Sequence, residues 1–140
     1  MSVISLLVIE PSLLPDLKAL QNEADLGGDA VNFFEQADLA THTGFFPMRV
    51  KGRDTGFEYY FEAIPEGALP QEVRKFGSHY IVARTGSSFE EGRAALAFLK
   101  IVARLTGGAY VYPDDGIIVA PEEVQGYLGE QIAEYDKHIK

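Results

Sequence analysis

Apolar residues fall along this chain in two rhythms, one with the period of a strand and one with the period of a helix, and their succession predicts the order of elements. Residues 3–9 are apolar except for Ser5, which predicts a strand buried on both faces. Ser12 stands where it can cap a helix bearing Leu17, Leu20 and Ala24 at helical spacing, and Gly27-Gly28 ends that helix. Residues 30–44 carry no clear rhythm: Val31, Phe33 and Phe34 suit a strand or a short helix, and Ala37 to Gly44 reads as loop.

From Phe45 to Ile64 two alternating runs flank Gly52-Arg-Asp-Thr-Gly56, which predicts a hairpin. A loop at 53–56 puts Phe46, Met48 and Val50 on one face with Phe57, Tyr59, Phe61 and Ala63. It sets Lys51 opposite Glu58 and Arg49 opposite Tyr60. A helical turn at 71–75 precedes a strand from His79 to Thr85. Ser88-Phe-Glu-Glu91 then has the spacing of a capping box, and the helix it opens runs to a stop at Gly107-Gly108. At about 100° per residue, Arg93, Lys100 and Arg104 share a polar stripe roughly 40° wide, so this helix is expected to be largely buried. Residues 109–112 and 116–120 flank Pro113-Asp-Asp-Gly116, a turn composition. Pro121 opens a last helix with Val124, Leu128, Ile132, Tyr135 and Ile139 as its buried stripe.

Hairpins interspersed with helices predict an α+β fold, with a mixed or mainly antiparallel sheet and about three helices packed mostly on one face. No repeat, linker or low-complexity tract divides residues 1–140, so a single domain is expected. The apolar opening segment has no basic residues ahead of it and falls well short of the about 20 apolar residues that span a bilayer as a helix.

Charge narrows the choice of partners. Twenty-one acidic against twelve basic residues give a net charge of −9, so nucleic acid and anionic membrane are expected to be repelled. The same charge suits ordinary solubility, or a basic protein partner. The absence of cysteine removes thiolate chemistry and fits a reducing, cytoplasmic setting. Self-association is left open.

Candidate chemistry is sparse. Arg84-Thr-Gly-Ser-Ser88 leads from strand to helix N-terminus, where amide N–H groups attract anions, but Glu90 and Glu91 already satisfy the dipole and would repel a phosphate. His42, His79 and His138 stand far apart without a ligand-type spacing, and no nucleophile elbow is present. Neither a metal nor another cofactor is expected, and an enzyme is the less favoured class. Tyr110 and Tyr112 share one strand face beside Asp114-Asp115, a pattern of half-buried packing that also suits interfaces.

The block Thr85-Gly-Ser-Ser-Phe-Glu-Glu-Gly-Arg-Ala-Ala-Leu-Ala, through Ala103-Arg-Leu-Thr-Gly-Gly to Tyr112-Pro-Asp-Asp-Gly116, resembles small bacterial uncharacterised and toxin-immunity-type proteins. In these a long Ala-rich helix ends at Thr-Gly-Gly before a strand and an Asp-rich turn. The resemblance implies a non-enzymatic cytoplasmic protein that binds another protein, of immunity or regulatory type. It transfers no catalytic residue. The expected contact surface is the acidic last helix, with Glu122, Glu123, Glu130, Glu134 and Asp136, although an ordinary solvated helix face has the same composition. The rival expectation is a small-molecule binder or small enzyme with a pocket between the aromatic hairpin and the central helix, using Arg49, Tyr60 and His79.

Overall fold

The structure, a computed structural model, describes residues 2–34 and 38–139. Seven strands form one antiparallel sheet: β1 (Val3–Ile9), β2 (Val31–Phe33), β3 (Gly44–Val50), β4 (Arg53–Ala63), β5 (His79–Thr85), β6 (Ala109–Tyr112) and β7 (Ile117–Val119), in the spatial order β2-β3-β4-β5-β1-β6-β7. The helices are α1 (Leu17–Gly27), α2 (Gln71–Arg74), α3 (Phe89–Thr106) and α4 (Val124–Asp136). The α+β expectation holds, with every strand pairing antiparallel.

β1 is apolar at every position but Ser5 because it lies between β5 and β6 with both faces covered. Leu7 and Ile9 join the cluster under α1, α3 and α4. Leu6 and Val8 point the other way, into a smaller cluster closed by Ile64 and by Val73 of α2. The segment carrying α2 lies so close to β1 that a Cβ on Gly77 would fall on the backbone carbonyl of Ile9.

The hairpin of β3 and β4 forms with a different register from the one its sequence suggests. The turn is only Lys51-Gly52, both at positive φ (51° and 78°), so Val50 pairs with Arg53 and Arg49 with Asp54. That is the two-residue hairpin geometry whose twist matches the strands. Arg53, Asp54 and Thr55 are therefore ladder residues rather than loop. Gly56 serves the strand and not the turn: a Cβ there would collide with the Phe46 carbonyl oxygen. The assignment of faces survives. Phe46, Phe57 and Tyr59 surround Phe98 of α3 with ring centroids 5.2, 5.2 and 5.7 Å away.

Two further findings concern helices. Asp16, not Ser12, caps α1, its carboxylate accepting from the Ala19 amide at 2.8 Å, while Ser12 sits in a 3-10 turn upstream. Ser88 caps α3 as expected, accepting from the Glu91 amide, and Gly107 ends it in the left-handed region at φ 72°, a conformation that costs other residues about 1–2 kcal/mol. The polar stripe of α3, however, is no solvent face. Arg93 is buried against α4, and Arg104 donates to Glu23 (2.9 Å) and Asp29 (2.6 Å) at the end of α1. In the stretch 30–44, residues 31–33 are strand and 38–43 loop; Ala37 lies outside the described residues.

Candidate functional site

α4 runs along α3 and meets the sheet near β6 and β7, so its residues are sorted by helical position into two working flanks. Tyr127, Gln131 and Tyr135 recur every four residues and fall on one flank. They line a cleft of about 380 Å³ whose opposite wall holds Ser5 of β1, Tyr110 and Tyr112 of β6, and Asp115 of the β6–β7 turn. Tyr110 is buried at the bottom and shares a 2.8 Å hydrogen bond with the Ser5 hydroxyl. Its ring lies 5.7 Å from that of Tyr127. Burial pushes the Tyr110 phenol far above its ordinary pKa. Tyr112 is pushed up as well, first by desolvation and then by the negative charges of Asp115 and Asp114.

The opposite flank of α4 closes a second cleft, of about 300 Å³, between the hairpin turn and the start of α3. Its charges are occupied with one another. Asp136 accepts from Arg93 Nε at 2.8 Å and lies 3.6 Å from Lys51 Nζ, and Arg53 reaches Glu90 at 2.8 Å. The hydrogen bond from Arg93 is the main cause that holds the Asp136 carboxyl below its ordinary pKa. This cleft fastens hairpin, α3 and α4 together; the tyrosine cleft has no such internal pairing across it among the described ion pairs.

The acidic residues expected at the partner surface divide accordingly. Glu122, Glu123, Glu130 and Glu134 are exposed. Helical spacing sets Glu130 and Glu134 beside the row of Tyr127 and Gln131, and Glu134 also pairs with Lys137 at 2.9 Å. Asp136 belongs to the ion-paired cleft instead.

Arg49, Tyr60 and His79 are not brought together. Arg49 and Tyr60 point to the sheet face away from α3, and with Arg49 opposite Asp54 the two lie about 20 Å apart along the ladder. Arg49 pairs with Asp54 (2.9 Å), Tyr60 donates to Glu58 (3.0 Å), and His79 stacks on Phe61 on the other face at 5.2 Å. The space between hairpin and α3 is filled by Phe33, Phe46, Phe57, Tyr59 and Phe98. His42 bonds the Phe45 carbonyl oxygen, and His138 stacks on Phe89 at 4.7 Å. Among the described residues no group of three His, Asp or Glu side chains is placed to hold a metal ion. No helix there is long and apolar enough to cross a membrane.

The chain matches no protein-family model and no curated protein.

Proposed function

We propose that this chain is a non-enzymatic protein-binding module that meets a basic protein through the face made by α4 and the β6–β7 turn. One observation carries the reading: half-buried tyrosines line a cleft with exposed carboxylates on both sides, Asp114 and Asp115 on one and Glu130 and Glu134 on the other. Tyrosine suits contact surfaces because its ring buries apolar area while its hydroxyl keeps a polar partner. Surrounding negative charge speeds encounter with a basic partner and disfavours acidic ones. A bacterial toxin-immunity pair in the cytoplasm, which the resemblance of residues 85–116 implies, is the specific form proposed.

The test is capture from native lysate by the wild-type chain and by a Glu123→Lys, Glu130→Lys, Glu134→Lys variant, at about 50 and 200 mM salt, where screening differs appreciably. The reading expects one basic protein, recovered better at low salt and lost with the folded triple variant. Equal capture by both proteins removes this face from the interface, and recovery of a bound metabolite in place of a protein overturns the reading.

A further inference from the structure

We infer that the tyrosine cleft is a receptor for one long cationic side chain, a lysine or arginine projecting from the basic partner. The inference rests on the protein-binding reading and assigns it an anchor point. At about 380 Å³ the cleft has room for an extended lysine or arginine side chain. Its walls are phenol rings from two elements, Tyr110 and Tyr112 from β6 and Tyr127 and Tyr135 from α4. Aromatic rings attract an ammonium or guanidinium through their quadrupole and bury its methylene stem.

Charge selects the occupant. Asp115 lies in the wall itself, and its effect, with that of Asp114, on the Tyr112 phenol places negative potential at the mouth. A carboxylate ligand would be repelled there, and a neutral apolar one would draw nothing from Asp115 or from the Gln131 side-chain oxygen. A cation satisfies both. The bottom is already closed by the bond between Ser5 and Tyr110, so the charged head meets the outer phenols, Gln131 and Asp115. Because α4 is held from its other flank by Arg93, the two walls stand in place before anything binds, which reduces the ordering cost of association.

The experiment uses Nα-acetyl-lysine methylamide and Nα-acetyl-arginine methylamide as probes, with the norleucine analogue as the uncharged comparison. Ring resonances of ring-labelled tyrosine are followed during titration of the full chain. At least one cationic probe should shift Tyr112, Tyr127 and Tyr135 saturably, while norleucine leaves them unmoved. Asp115→Asn and, separately, Tyr127→Leu should each weaken that binding by about three- to tenfold, with unchanged amide spectra elsewhere showing that the variants are folded. Equal shifts with norleucine, or no saturable shift with either cation, overturn the inference. Partner capture tells the two readings apart. Loss of the basic protein on reversing Glu123, Glu130 and Glu134, with full capture by Asp115→Asn and Tyr127→Leu, rejects the cleft as anchor and leaves the binding module standing.

Discussion

Breaking the contact between Arg93 and Asp136 should cost very different amounts depending on which partner is changed. The two groups share one 2.8 Å bond, but the Arg93 side chain is only 10% exposed whereas Asp136 is 34% exposed and also faces Lys51. Asp136→Asn leaves a guanidinium buried without its counter-charge. Stranding a fully buried charge costs about 3–5 kcal/mol, and partial access of water to this pair brings the expectation to about 2–3 kcal/mol. Arg93→Met keeps most of the buried stem and leaves a carboxylate that water and Lys51 still stabilise, so about 1 kcal/mol is expected. Urea melts at pH 7 measure both. With a slope of about 2 kcal/mol per molar, the midpoint should fall by about 1–1.5 M for Asp136→Asn and about 0.5 M for Arg93→Met, at constant slope. pH supplies an independent check. The folded-state pKa of Asp136 is lowered, so its contribution is fully present above the unfolded value of about 3.9 and is lost as pH falls through the folded value. The gap between wild type and Asp136→Asn should therefore narrow below about pH 4. If Arg93→Met proves as costly as Asp136→Asn, or the gap persists at low pH, the buried charge is not what makes this contact matter.

Three other outcomes follow from packing and backbone geometry. Phe98→Ala should lose about 3–5 kcal/mol in chemical denaturation, since Phe98 is fully buried among four aromatic rings of the sheet; a loss below about 0.5 kcal/mol would take α3 out of the core. Ala30→Gly should stabilise by about 0.5–1 kcal/mol in the same melts. Ala30 holds φ at 54°, a strain of about 1–2 kcal/mol only partly offset by the freedom glycine adds to the unfolded chain. Gly77→Ala should destabilise by about 3 kcal/mol, because the new methyl meets the Ile9 backbone, which cannot turn aside as a side chain would; a thermal midpoint within 1–2 °C of wild type would show that the segment lifts off freely.

The elements that could be read from sequence are those with local chemistry at their ends. Both ends of α3 are written in Ser88 and Gly107, and β5 spans His79–Thr85, the run read as a strand from the sequence. The hairpin register was not legible, because a period of two constrains only the faces. Pairing Val50 with Arg53 rather than Tyr59 moves the ladder by an even number of residues and leaves Phe46 and Phe57 on the same side. The choice falls to the turn, where Lys51 takes a conformation its side chain does not advertise. Arg93 and Arg104 show the corresponding limit for helices: a polar stripe looks the same whether water or a neighbouring carboxylate faces it. Tyr110 and Tyr112 stood out in the sequence, but their cleft did not. Tyr127, Gln131 and Tyr135, four residues apart along α4, carry the signal that could have supplied its second wall.

The central place of β1 has a consequence for the order in which the chain is made. Its two neighbours in the sheet are β5 and β6, so Ile9 must wait for His79, and Leu6 for Val111. At about 5–20 residues per second of synthesis, several seconds pass before β5 follows β1 out of the ribosome, and several more before β6. Until β5 appears the segment Val-Ile-Ser-Leu-Leu-Val-Ile has neither edge paired with its partner in the sheet, and until β6 appears it keeps one edge free. A stretch so apolar and rich in β-branched residues is open in that state to aggregation and to general chaperones. A strand covered on both faces in the finished molecule is thus the one that waits longest for its sheet partners.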